Sequence, residues 1–302
     1  MDNNRPYDYA HTWEEIGVLL KKNPMLRMYT LGKSVLGRDI PLLRIGEPKA
    51  PSLLFVGTHH GMEWITTQLL LTYIEDFCRL AKTERHVYGI RPSCIAQNRC
   101  LYFVPMLNPD GADIQIHGAV EGCAQNERLI FYNGGSADFT HWQANARGVD
   151  LNHNYNAGFS AYKRLEREKG IYGGAPTRYS GEYPESEPET AALAGFVRAH
   201  DNLHMILTLH TQGEEIYYSS GDCVPPSAGR IASLFGRMTG YRAARPEGMA
   251  AYGGLTDWFI QTYNRPSFTF ECGRGENPLP QNKAGDIYED IREALFTAPL
   301  FV

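Results

Sequence analysis

Two periods of apolar residues alternate along the chain. Short continuous apolar runs, "PSLLFVG" (51–57), "CLYFVPML" (100–107), "HMILTLHT" (204–211) and "PSFTFE" (266–271), have the length and the Val/Phe/Leu content of buried strands. Between them lie longer stretches in which apolar residues recur every three or four positions, the helical spacing. "MEWITTQLLLTYIEDFCRL" (62–80) predicts a long amphipathic helix, and "SEPETAALAGFVRAH" (186–200) a second, with Ser186 and Glu189 as its capping box. Thr12 and Glu15 make a capping box ahead of "IGVLLKK", and a last helix is predicted near "YEDIREALF" (288–296). "KSVLGRDIPLLRIG" (33–46) reads as two strands around a Gly37-Arg38 turn. Strand and helix signals in this alternation predict an α/β architecture with a parallel or mixed sheet.

The chain has 302 residues, 43% of them hydrophobic, with no repeat, low-complexity tract or linker. A single domain over 1–302 is expected, with ample apolar surface for one core. The net charge of −5 is dispersed, and no block of Lys and Arg marks a nucleic-acid or membrane surface. No apolar stretch approaches the ~18 residues of a transmembrane helix. The start, "MDNNRPYDYAHTWEE", is polar and acidic, without the apolar core of a signal peptide, so a cytoplasmic location is expected, with a spore or lysis-released role left open. The six cysteines (Cys78, Cys94, Cys100, Cys123, Cys223, Cys272) form no C-x-x-C pair and read mainly as reduced thiols, with a bridge within the set left open by the sequence. Oligomeric state is not written in the sequence.

The candidate chemistry sits where strands end. "GTHHGMEW" (57–64) follows the first buried run and carries His60 and Glu63 three positions apart, a spacing that lets two side chains share one metal ion. In α/β sheets, sites collect at the carboxyl ends of strands. His210 closes "MILTL" and Glu271 closes "SFTF". Three protein ligands and an open position make a catalytic zinc site. His60, Glu63 and His210 would supply the ligands, and Glu271 a general base for the metal's water. The pattern leaves open whether His59 or His60 is the ligand.

Five motifs in order extend this picture over nearly the whole chain: "HGMEW", "NPDG" (108–111), "GVDLNHN" (148–154), "SEPET…FV" followed by "LTLHT", and "GGLTDW" (253–258) followed by "FTFE". Together they resemble the carboxypeptidase A-like metallopeptidase family. The resemblance implies one zinc per chain, peptide-bond hydrolysis, and a single domain with a mixed, twisted eight-stranded sheet flanked by helices. It selects His60 over His59, makes Glu271 the general base, and gives Asp150 the part of a carboxylate that orients the first zinc histidine. Arg147 is a candidate for polarising the scissile carbonyl.

Two positions depart from the family pattern. His153 stands after Asn152 where exopeptidases of the family carry the arginine that grips a terminal carboxylate. Met249 stands where they carry a mobile tyrosine, and Tyr252 would substitute from a shifted position. The segments "FECGRGENPLP" (270–280) and "NARGVDLNHN" (145–154) resemble a bacterial branch that cuts the γ-D-glutamyl–diaminopimelate bond of cell-wall peptides. With that resemblance, Arg274 is expected to bind a substrate carboxylate, and Thr256 to lie at the base of the specificity pocket. The expected partner is therefore a peptide, a muropeptide in particular. Two rival readings remain: an ordinary zinc carboxypeptidase releasing C-terminal amino acids, and an inactive muropeptide-binding module.

Overall fold

A computed structural model of the chain describes residues 5–118 and 124–302. Its eight strands are β1 (Arg27–Lys33), β2 (Asp39–Gly46), β3 (Ser52–Val56), β4 (Cys100–Val104), β5 (Leu203–His210), β6 (Glu215–Tyr217), β7 (Arg242–Ala244) and β8 (Ser267–Glu271). They form one sheet in the order β1-β2-β4-β3-β5-β8-β6-β7. The four central strands, β4, β3, β5 and β8, run parallel. The antiparallel pairs β1–β2, β2–β4 and β6–β8 make the sheet mixed. The helices are α1 (Tyr9–Lys22), α2 (Ile65–Lys82), α3 (Pro92–Asn98), α4 (Pro109–His117), α5 (Ala124–Tyr132), α6 (Phe159–Glu168), α7 (Pro188–Arg198), α8 (Ala228–Thr239), α9 (Leu255–Tyr263) and α10 (Ala284–Thr297).

Strand side chains alternate between faces, so each central strand feeds two cores. Leu53 and Phe55 of β3, Leu207 and Leu209 of β5, and Phe268 and Phe270 of β8 pack with residues of α1, α2, α8 and α10. Leu54 and Val56 face the other way, joining Leu193 and Val197 of α7 and Trp258 and Phe259 of α9. Burial on both faces explains why these strands read as continuous apolar runs. No helix among the described residues is long and apolar enough to cross a membrane. Cys78, Cys94, Cys100, Cys223 and Cys272 are free thiols, and Cys123 lies outside the described residues.

Three local expectations are corrected. The first helix starts at Tyr9, before Thr12, because Asp8 accepts from the His11 amide at 2.7 Å and caps it there. The α7 helix begins at Pro188, and its expected capping box is spent on tertiary contacts: Ser186 binds Asn154 and Glu187, while Glu189 accepts from the Val35 amide at 3.0 Å. The first arm of the hairpin lies upstream, at Arg27–Lys33, and Ser34–Arg38 forms the turn. As an edge strand β1 is largely exposed, so it lacks the apolar pattern that would reveal it.

Candidate metal centre and substrate cavity

The chain leaves β3 at Gly57 and turns sharply at Thr58, whose φ of 50° is left-handed. The Thr66 hydroxyl accepts from the Thr58 amide at 2.8 Å and holds that turn. His60 follows in extended conformation, and Gly61–Glu63 form a single 3-10 turn before α2. Gly61 lies so close to the next motif that a Cβ would stand 2.3 Å from the Gly111 carbonyl oxygen. Asn108 seals the join, since its Nδ2 donates to the carbonyls of His59 (3.1 Å) and Ala144 (3.2 Å), while its Oδ1 accepts from the Gly111 amide. Thus "HGMEW" and "NPDG" are two halves of one rigid corner.

The side chains converge from the ends of β3 and β5. His60 Nδ1 lies 2.9 Å from Glu63 Oε1, His210 Nδ1 3.0 Å from Glu63 Oε2, and the two Nδ1 atoms 3.3 Å from each other. All three residues are buried. Zinc bonds of about 2.0–2.2 Å put tetrahedral donors about 3.3–3.6 Å apart, so this cluster needs only a slight expansion to hold one ion. Asp150 completes the cage. Its Oδ1 lies 3.1 Å from His60 Nε2, and it accepts the amides of Asn152 on Oδ1 and Arg178 on Oδ2. That contact fixes the His60 tautomer and leaves Nδ1 free to bind a cation. Burial favours neutral His60, yet the charges of Glu63 and Asp150 raise its pKa well above the usual range, a sign that the cage calls for positive charge. Asp150 is pulled below the usual carboxylate range against its burial, chiefly by His60.

His59 is turned away. Its Nε2 pairs with the Tyr155 hydroxyl at 3.2 Å, and burial together with the neighbouring histidines keeps it neutral. Of the two rings, His60 is the one that lies in the cluster of potential ligands among the described residues.

His210 and Glu271 are register partners on β5 and β8, which brings the last candidate ligand and the carboxyl group side by side. Glu271 is half-buried and lines a cavity of about 260 Å³ together with His60, Asn152, His153, Arg178, Tyr217, Ser219, Met249, Thr256 and Asp257. Loss of solvent around the carboxyl group pushes its pKa up to about 8, with the Glu63 charge adding to the effect, so a cation among the candidate ligands would draw it back down. Two polar atoms of the lining, Ser219 Oγ and Asp257 Oδ1, are buried without hydrogen-bond partners among the described residues. Thr256 also lies in the lining, its hydroxyl 3.0 Å from that of Thr269.

Other expected residues lie elsewhere or act differently. Arg147 borders a separate cavity and pairs with Glu187 at 3.5 Å. Arg274 is exposed and bound to Glu214 at 2.7 Å. Tyr252 does not line the cavity: its ring packs on Gly158, and its carbonyl accepts from His153 Nδ1 at 2.9 Å. Met249 lines the cavity instead. His153 stacks on Tyr162, with ring centroids 4.2 Å apart, and burial lowers its pKa. With Nδ1–H committed to a carbonyl, its neutral ring offers an acceptor at Nε2, the wrong polarity for a carboxylate. Arg178, which sequence patterning missed, is the one arginine or lysine in the lining among the described residues. It sits in an irregular loop with a left-handed φ of 66°, and no periodic signal marks it.

Comparison with known proteins matches residues 15–295 to the family described as zinc carboxypeptidase. Gamma-D-glutamyl-L-diamino acid endopeptidase 1 of Lysinibacillus sphaericus is 33% identical over 302 residues, covering 100% of this chain and 74% of that protein. An uncharacterised protein of Bacillus subtilis, YqgT, is 30% identical over 100% of this chain and 79% of its own length. In fold, the chain is similar to bovine thrombin-activatable fibrinolysis inhibitor bound to tick carboxypeptidase inhibitor, with a TM-score of 0.74 at 18% identity, covering 99% of this chain and 98% of that one.

Proposed function

The chain belongs to the zinc carboxypeptidase family of peptidases, and from that premise we propose that it hydrolyses the γ-D-glutamyl–diamino acid bond of peptidoglycan-derived peptides, using one zinc ion held by His60, Glu63 and His210. Zinc in that cage would act as a Lewis acid on the scissile carbonyl and lower the pKa of a water. Asp150 keeps His60 oriented through Nε2. Glu271 takes a proton from the attacking water and returns it to the leaving nitrogen, which the β5–β8 register makes feasible by setting it beside His210. A pure binding module would have no use for a carboxyl group in that position.

The observation that carries the substrate assignment is His153. A family exopeptidase holds the terminal carboxylate with an arginine fork, whereas here the position presents a neutral ring with its donor already used. Support for the acyl side of the bond comes from the Lysinibacillus relative, whose name states a γ-D-glutamyl-diamino acid endopeptidase. The polar lining of Ser219, Thr256 and Asp257 suits a side chain with polar ends. A site of that kind rejects an apolar analogue strongly, because its own groups would be left unpaired. The test is product mass from L-Ala-γ-D-Glu-diaminopimelate beside an apolar C-terminal dipeptide. Release of diaminopimelate at the higher kcat/KM supports the assignment, and faster hydrolysis of the apolar dipeptide replaces it with an ordinary carboxypeptidase.

A further inference from the structure

The cavity beside Glu271 must neutralise whatever charge its substrate brings, and the lining holds few groups able to do so. Asp257 and Glu271 are acids, His153 offers an acceptor, and Arg178 is the single permanent cation of the lining among the described residues. The guanidinium of Arg178 has no hydrogen-bond or ion-pair partner among the described residues, in contrast to Arg147 and Arg274, which are each tied to a glutamate. Its backbone is held firmly even so. The Arg178 amide donates to Asp150 Oδ2 at 3.1 Å, its carbonyl accepts from the Tyr162 hydroxyl at 3.0 Å, and its φ of 66° is uncommon for a residue with a side chain. One carboxylate, Asp150, therefore fixes both the His60 ring and the arginine's main chain. Arg178 is exposed, so solvent satisfies its guanidinium; what points to a ligand is the combination of a pinned, left-handed backbone and a side chain at the cavity wall that no protein group claims among the described residues.

We propose that Arg178 is the specificity residue that binds a carboxylate of the diamino acid on the leaving side of the scissile bond, from the loop before α7 and not from the position of His153. This rests on the γ-D-glutamyl–diamino acid assignment above. The planar fork of arginine accepts a carboxylate in two parallel hydrogen bonds. Diaminopimelate offers two carboxylates, one on the carbon bearing the scissile nitrogen and one at the distal end. Either satisfies the chemistry.

The test uses the zinc-loaded full chain and three dipeptides: γ-D-glutamyl-diaminopimelate, its monoamide at the near carboxylate, and its monoamide at the distal carboxylate. In the wild type, amidating the carboxylate that Arg178 binds should raise KM by about ten- to a hundredfold, the scale of a hydrogen bond to a charged group, and which amide suffers identifies the carboxylate. In Arg178→Gln that discrimination should collapse, with zinc content and melting temperature retained. Arg178→Lys, which keeps charge without the fork, should restore part of it. Undiminished discrimination in Arg178→Gln overturns the proposal, and so does loss of zinc in that variant, which would make Arg178 a support for Asp150 instead. If the wild type cleaves none of the three, the substrate assignment falls separately. Calorimetric binding of free diaminopimelate then decides Arg178: about tenfold weaker binding in Arg178→Gln supports it, and equal or absent binding overturns it.

Discussion

The metal cage and the cavity rim lie a few ångströms apart but are built by different means. Cage residues sit at the carboxyl ends of β3, β5 and β8 or on a turn locked to them; His60, Glu63, Asp150 and His210 are buried, and Glu271 is half-buried. Their positions follow from strand register and from the Gly61–Gly111 contact, neither of which tolerates a shift. The rim is assembled from loops and helix starts: Asn152 and His153, Arg178, Ser219, Met249 and Thr256. Loops carry specificity because they change without disturbing the scaffold. Chemistry is thus fixed by the sheet, and substrate choice by what hangs over its edge. Asp150 joins the two regions, since its two oxygens serve His60 on one side and the Arg178 amide on the other.

Breaking the cage gives the largest effect. His210→Ala, or removal of metal by a chelator, should reduce activity to background, and metal analysis should find the variant without zinc. Stoichiometric zinc in His210→Ala would mean the ligand set is wrong. Glu271→Gln comes next. It should keep zinc and substrate affinity and lose about 10²–10⁴-fold in kcat, because the lost interaction belongs to the transition state. Near-normal turnover would assign the base to another group.

Legibility in the sequence follows the same division. Continuous apolar runs exposed β3, β4, β5 and β8, because strands buried on both faces need them, and His60, Glu63, His210 and Glu271 could be read from their places at or just beyond those ends. The short strands β6 and β7 and the exposed edge strand β1 left no such pattern. Arg178 was invisible for a related reason: its loop position is set by Asp150 and Tyr162, distant in sequence and silent in any local window. Arg147 and Arg274 drew attention because they lie near motifs, but proximity in sequence did not bring them to the cavity. The capping signals misled where tertiary partners claimed the side chains, as Val35 does with Glu189.

Asp150→Asn sharpens the comparison by touching both regions at once. It keeps the shape but loses the charge that strengthens His60 as a ligand, and second carboxylates of this kind are worth about 10- to 100-fold in metal affinity. Its amide nitrogen would also face the Arg178 amide, donor against donor, or else His60. The expected result is weakened zinc binding together with blurred discrimination among carboxylate-bearing substrates. Loss of zinc affinity alone, with specificity intact at saturating zinc, would uncouple the rim from the cage.

The smallest effects should come from the two arginines outside the cavity. Arg147 pairs with Glu187 across 3.5 Å while half-exposed, and Arg274 with Glu214 on the surface. Surface pairs such as Arg274–Glu214 contribute about 0–1 kcal/mol, since solvent screens them and two long side chains must be held in place; Glu187 is buried, but Asn145 also donates to it at 2.8 Å, so it keeps a partner when Arg147 is removed. Arg147→Ala and Arg274→Ala should therefore change melting temperature slightly and leave kcat/KM within about twofold on every peptide tested. A fall confined to the diaminopimelate substrate in Arg274→Ala would show that the loop after β8 closes over the bound peptide and brings its guanidinium to the cavity. The boundary between cage and rim would then have to be drawn around the closed state, with Arg178 and Arg274 sharing the substrate's carboxylates.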